Sequence, residues 1–446
     1  MTERYFGTDG VRGRVGERPM TVDFALRLAG AAARVLAPGG GRVLIGKDTR
    51  LSGYMFEAAL EAGFVAAGVD VLLIGPLPTP GIAYMTQRLG CSFGVVISAS
   101  HNPYQDNGIK FFGAGGSKLA DEQERQIERL IDGPVVTQQS QHLGRATRID
   151  DSRGQYQDFC ASTIPPGMDL RGCKIVVDCA NGACYKVAPR VLADLGADLV
   201  PIGCSPNGRN INDSCGSTAP ALLQLTVPGV RADVGIALDG DGDRVVMIDA
   251  LGRIVDGDQL LFILAAERQA AGALRGPVVG TVMSNLGLQQ ALSERGIEFR
   301  RAQVGDRYVL AMLNEVGGTL GGETSGHILC LDKTTTGDGL ISALQVLAAM
   351  KQSGASLAEL GAPMPKYPQV LLNVKVERRF DPSADAEVQA AVARVEGRFD
   401  GRGRIVLRAS GTEPVVRVMV EGHDAALVRN AAQEIASAVE AAARHR

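Results

Sequence analysis

Val95-Val96-Ile97-Ser98-Ala99-Ser100-His101-Asn102-Pro103 is an apolar run that stops at a small, polar, hydroxyl-bearing turn. It reads as a buried strand that delivers Ser100 into a cleft. A serine hydroxyl is a poor nucleophile alone, so chemistry here needs a neighbouring base or a metal that gathers a reacting phosphate around it. Working outward, helix and strand alternate on both sides. Thr21 N-caps an alanine-rich helix that runs to about Ala37, where Pro38-Gly39-Gly40-Gly41 ends it. A strand over Arg42–Gly46, a helix over Gly53–Ala67 and a strand over Val69–Ile74 follow, and the alternation continues to Phe111-Phe112. Such a pattern predicts a mostly parallel sheet with covering helices. Ligands of that architecture bind at the carboxyl ends of strands, so Arg50 and Lys110 could face one cleft, the alternative for each being a solvated surface charge. The opening stretch Phe6–Gly13, carrying Thr8 and Arg12, is too poor in apolar residues for a strand and reads as a loop.

At 446 residues the chain is too long for one core. The polar stretch Asp132–Asp151 reads as the first boundary, after which strands are expected at Lys174–Asp178, near Asp198–Ile202 and at Asp233–Leu238. A third unit opens near Asp256-Gly257-Asp258, and the proline-rich passage Pro363–Pro368 reads as a linker to a strand–helix–strand–strand–helix unit. The expectation is an α/β protein: three similar mixed or parallel-sheet domains (1–150, 151–255, 256–366) and a smaller, partly antiparallel α+β domain (367–446), around a central cleft.

The composition, 45% hydrophobic and 21% charged, is that of an ordinary globular protein, and a net charge of -3 argues against nucleic acid or an anionic membrane as partner. No apolar run approaches a membrane span and the polar start is no secretion signal, so a cytoplasmic location is expected. Eight scattered cysteines without a C-x-x-C pair read as small core residues, and five histidines are too few for a zinc cluster.

In Asp239-Gly-Asp-Gly-Asp243 carboxylates alternate with glycines, so acidic side chains share a face while the backbone curls. Three clustered carboxylates repel unless a cation sits among them, and Mg²⁺ suits a few carboxylates plus phosphate oxygens. A calcium EF-hand opens with the same rhythm but requires Gly at the sixth position and Glu at the twelfth, where Arg244 and Ala250 stand. Arg408-Ala-Ser-Gly-Thr-Glu-Pro414, with Arg417 beyond it, has the makings of an anion cradle: Ser410, Gly411 and Thr412 offer N–H groups and hydroxyls, and the arginines grip oxygens bidentately. Glu323 and Ser325 in Gly322–Gly326 could bond sugar hydroxyls or merely shape a turn, and His327 beside them could be an acid, a base or a structural residue.

Taken together, FGTDGVRG, ISASHNP with DNGIKFF, DGDGDR, GGETSGH with LDKTTTGDG, and RASGTEPVVRVMVEG resemble the α-D-phosphohexomutase superfamily, in the right order along essentially the whole chain. The resemblance implies a heart-shaped protein whose cleft takes one loop from each of four domains. It implies that Ser100 is the phosphoserine and that Asp239, Asp241 and Asp243, with a Ser100 phosphate oxygen, hold Mg²⁺. Glu323 and Ser325 become sugar contacts, and Arg408, Ser410, Gly411, Thr412 and Arg417 a phosphate clamp. Arg12, Lys110, Arg244 and His327 line the reacting end, Lys110 and His327 as acid and base. Thr324 departs from the expected Gln, which bears on fine specificity. The implied reaction converts D-glucosamine 6-phosphate to D-glucosamine 1-phosphate through a 1,6-bisphosphate that serves as intermediate or activator, toward a nucleotide-sugar precursor of the bacterial cell wall. Glucose or mannose phosphates are the near alternatives and a non-catalytic sugar-phosphate sensor the distant one. A small sugar phosphate is thus the expected partner, and monomer and homodimer both stay open.

Overall fold

A computed structural model of the chain describes residues 4–7, 9–377, 380–409 and 414–444. The first sheet comprises β1 (Val11–Arg14), β2 (Gly41–Lys47), β3 (Val69–Pro76), β4 (Phe93–Ile97), β5 (Asp106–Gly113) and β6 (Ala146–Arg148), in the order β1-β5-β4-β2-β3-β6. Helices Ser52–Ala66 and Thr79–Arg88 cross over between β2, β3 and β4, which are therefore parallel. β5 and β1 return antiparallel.

Two segments differ from the sequence reading. Val11–Arg14, taken as part of a loop, is a strand because the free edge of β5 supplies its partners (Arg12 opposite Gly108) and Val11 is fully buried. A partner 96 positions away, not local apolar content, decides its conformation. The stretch read as a boundary contains β6, whose three exposed residues extend the sheet edge beside β3 without any alternation to announce it.

The second sheet, β7 (Lys174–Asp178), β8 (Asp198–Ile202), β9 (Val234–Leu238), β10 (Val245–Asp249) and β11 (Ile254–Val255), has the order β11-β10-β9-β7-β8, parallel about β7 and antiparallel from β9 outward. The third, β12 (Val278–Thr281), β13 (Phe299–Ala302), β14 (Leu320–Gly322) and β15 (Ile328–Cys330), has the order β13-β12-β14-β15. The C-terminal sheet, β16 (Gln369–Lys375), β17 (Gly403–Ala409) and β18 (Val415–Gly422), is antiparallel throughout, more so than its sequence suggests, and packs on helices Ala386–Phe399 and Ala425–Arg444.

One apolar core runs through the first three sheets, joining Leu44 and Val96 to Ile175 and Ile236 and to Val278 and Leu320. At about 1.5–3 kcal/mol for each large aliphatic side chain removed from water, this core fixes where the strand ends point. The C-terminal domain has its own cluster, drawn only from residues 370–443.

Candidate active site

The end of β4 and the β9–β10 hairpin meet at Ser100. The residue is buried and takes a left-handed φ of +52°, which costs a non-glycine residue about 1–2 kcal/mol. Its surroundings over-determine it. Its N–H donates to Ser98 Oγ at 3.0 Å, and its carbonyl accepts from Arg50 Nη2 at 3.2 Å and from Asn212 Nδ2 at 2.9 Å. Arg50 therefore lies wholly buried beneath the serine turn instead of facing the cleft, because Asp48 and the carbonyls of Ser100 and Asn102 take its charge. Ser100 Oγ donates to Asp239 Oδ2 at 2.6 Å.

Asp239, Asp241 and Asp243 occupy the turn between β9 and β10, which an ordinary hairpin would leave solvated, yet here they are 0%, 1% and 5% exposed. Gly240 permits this: a Cβ there would lie 2.6 Å from the Ser100 carbonyl oxygen. One ligand oxygen from each carboxylate falls within 4.8 Å of the others, and Asp241 Oδ1 and Asp243 Oδ1 are buried without a hydrogen-bond partner. Burial and then the charges of Asp243 and Asp241 push Asp239 well above the carboxylate range. For Asp243 burial acts the same way, but Lys110 and His327 prevail and hold it low. Such a set cannot ionise fully without added positive charge, so it fits a metal ion.

Lys110 on β5 supplies part of that charge. Its Nζ lies 2.8 Å from Asp241 Oδ2, 2.8 Å from Asp9 Oδ2 and 3.7 Å from Asp243 Oδ2. Burial disfavours the ammonium, but the carboxylates outweigh it and raise its pKa. His327, just before β15, has Nδ1 3.7 Å from Asp243 Oδ1 and Nε2 3.4 Å from Asp306 Oδ2. Against the pull of burial, Asp243, Asp306 and Glu323 lift it to about 9. Lys118 bridges Asp9 (2.7 Å) and Asp306 (2.5 Å), tying the first domain to the third. Of these groups Asp9, Asp243, Asp306 and His327 wall a cavity of about 360 Å³ that Arg12, His101, Arg244 and Glu323 also line.

Of the residues singled out from sequence, Ser100, the three aspartates, Lys110, Arg12, Arg244, Glu323 and His327 thus converge. Glu323 is held by the Gly305 N–H, which donates to Oε1 at 2.9 Å. Ser325 sits at the exposed tip of its loop, away from the cavity wall. Arg408 and Arg417 are cross-strand partners on β17 and β18 and line a separate cavity of about 180 Å³ with Met283, Val304 and Leu371. Ser410, Gly411 and Thr412, and likewise Thr8, lie outside the described residues. Asp9, Asp48, Asn212 and Asp306 were not anticipated. Asp9 stands in the glycine-punctuated FGTDGVRG stretch and Asp306 in the polar loop Val304-Gly-Asp-Arg307, and that polar punctuation is the signal that marks them.

Four domain families match the chain in order: phosphoglucomutase/phosphomannomutase alpha/beta/alpha domain I over residues 3–134, domain II over 157–252, domain III over 256–367, and the C-terminal domain over 371–438. The chain belongs to the phosphoglucomutase/phosphomannomutase family and is an isomerase of the phosphohexomutase class. Within that family it is 58% identical over 444 residues, 99% of each chain, to the phosphoglucosamine mutase of Chromobacterium violaceum. Among solved structures, a phosphoglucomutase/phosphomannomutase family protein from Burkholderia thailandensis superposes with a TM-score of 0.80 at 25% identity, covering 99% of this chain and 98% of its own. The N-acetylphosphoglucosamine mutase of Aspergillus fumigatus, solved with GlcNAc-6P and magnesium, shares the fold with a TM-score of 0.72 at 20% identity, covering 99% and 96%.

Proposed function

We infer that the chain interconverts D-glucosamine 6-phosphate and D-glucosamine 1-phosphate through a phosphoserine at Ser100 and a sugar 1,6-bisphosphate. The observation that carries this reading is the Ser100 hydroxyl bonded to Asp239 within the buried aspartate set, beside a cavity lined by Arg12, Arg244 and His327. A phosphorylated Ser100 brings about -1.5 to -2 charges against Asp239, which only positive charge between them can offset. Asp239, Asp241 and Asp243 are the residues to hold a divalent cation, assigned as Mg²⁺, which when bound supplies Lewis-acid charge at the serine phosphate.

The residues of the chain do the rest. Arg244 and Arg12 present guanidinium groups to the transferring phosphoryl group. As the P–O bond to Ser100 breaks, a new P–O bond forms to the free sugar hydroxyl, whose proton must leave. One of Lys110 and His327, in its neutral form, accepts that proton while the other, protonated, gives one to Ser100 Oγ, and the roles exchange when the phosphoryl group returns; the surrounding carboxylates favour the protonated form of both, so the acid is the resting form of each. Glu323, fixed by Gly305, offers its carboxylate to sugar hydroxyls and tolerates a C2 ammonium. Arg408 and Arg417 grip the phosphate that is not reacting by charge and N–H donors, without reading which sugar carbon bears it, so the same pair serves both orientations of the bisphosphate.

Two measurements test this. Purified protein should convert the glucosamine phosphates with kcat/KM about tenfold or more above that for glucose or mannose phosphates. Equal efficiency on all three would make it a broad-specificity mutase, and no conversion of any would leave a sugar-phosphate sensor. Arg417→Ala should raise KM for both monophosphates by about 10- to 100-fold, the worth of a charge-assisted contact, and release more labelled bisphosphate during turnover. A raised KM for one isomer alone would show that the clamp serves one orientation.

A further inference from the structure

Thr324, the residue that departs from the expected pattern, is tied down on both sides. Its hydroxyl donates to Asp258 Oδ2 at 2.7 Å, and its carbonyl accepts from the Gly257 N–H at 3.1 Å. No side chain fits at Gly257, where a Cβ would lie 2.1 Å from the Glu323 carbonyl oxygen. The same Asp258 oxygen accepts from the Asn285 N–H at 2.8 Å. Asn285 in turn pairs its side-chain amide with the backbone of Tyr367 in the interdomain linker, giving a hydrogen bond to the carbonyl and receiving one from the N–H, both at 3.0 Å. Next along the chain, Leu286 N–H donates to Glu421 Oε1 on β18 at 2.7 Å. Arg404 on β17 joins Glu421 Oε2 (2.8 Å) to the carbonyls of Val282 (2.8 Å) and Ser284 (2.9 Å). Asp258, Asn285 and Glu421 are all buried, so water does not replace a bond that opens.

We propose that Asp258 and Asn285 are positioning residues that couple the seat of the 323–326 loop to the seat of the C-terminal domain, so that the sugar grip and the distal phosphate grip form and release together. This rests on the assignment of Glu323 and of the Arg408–Arg417 pair made above. Two donors converge on one carboxylate oxygen, one fixed to the sugar loop and the other to the segment that holds the linker. Displacing the C-terminal domain draws on Tyr367, hence on Asn285, and removes one of the two donors that place Asp258 under Thr324. A buried network of this kind is worth more whole than in parts.

Thr324→Val keeps shape and removes only the hydroxyl, and is the principal test. Hydrogen exchange followed by mass spectrometry should show the peptides over 284–288 and 365–370 exchanging about 2- to 10-fold faster, although the substitution lies in another loop. Asn285→Ala should conversely speed exchange over 322–327. In turnover both variants should raise the fraction of bisphosphate released, and the double variant should be no worse than the stronger single one. Faster exchange confined to residues 322–327 in Thr324→Val, or effects on release that multiply in the double variant, would overturn the coupling. A wild-type protein without mutase activity would instead overturn the site assignment, while the exchange result still decides whether the two segments are linked.

Discussion

Ser100→Ala should abolish mutase turnover, by about 10⁴-fold or more, while the protein melts within a few degrees of wild type. The loss follows from removing the oxygen that carries the phosphoryl group, for which no neighbour substitutes. The retained fold follows from the way the turn is held. Arg50, Asn212 and Ser98 grip the backbone of Ser100, and its side chain contributes a hydrogen bond to Asp239 and a longer one, 3.4 Å, with His101 Nδ1. Alanine bears the left-handed φ at a cost similar to that of serine, so the turn keeps its shape. Intact-mass measurement of active wild type should show one phosphate more than the chain mass, absent from the variant. Wild-type turnover without phosphate, or an active alanine variant, would refute the phosphoserine.

Asp241→Asn should lower turnover by about 10²- to 10³-fold and weaken activation by added divalent metal, with little change in melting temperature. Activity and stability part company here because the aspartates are crowded. Removing one charge deprives a cation of a ligand but relieves the repulsion that raises Asp239. The asparagine oxygen can still accept from Thr79 Oγ1, now 2.7 Å from Asp241 Oδ2, and Lys110 keeps Asp9 and Asp243 as partners. Metal titration into chelated protein gives the comparison. Superimposable activation curves would remove Asp241 from the metal site.

Wherever a segment carries its own period or punctuation, its structure was legible. The β4 run, the glycine-spaced aspartates and the strands of the C-terminal sheet stand close to where alternation and turn chemistry place them. Segments whose conformation comes from a distant partner were not. β1 is a strand because β5 has an open edge, and β6 because β3 does; neither fact is written in four residues of local sequence. The site divides in the same way. Groups lying in conspicuous loops were found, whereas Asp48 and Asn212 gain their importance only from what folding brings opposite them: Arg50 and the Ser100 carbonyl. Arg50 was assigned to the wrong surface because a sequence cannot show that two carbonyls and a carboxylate will enclose a guanidinium.

Three units of this molecule share one oily interior and the fourth keeps its own. A movement of the C-terminal domain therefore breaks polar ties such as Arg404 to Val282 and Glu421 to Leu286 without splitting either core. Ties of this kind are single hydrogen bonds that open and re-form one by one, while splitting a core costs in proportion to area. If the proposed bisphosphate turns end over end in the cleft without diffusing away, a seam of that composition favours it. The seam can close again on the same register, since ties such as Arg404 to Val282 and Leu286 to Glu421 are directional bonds with fixed addresses.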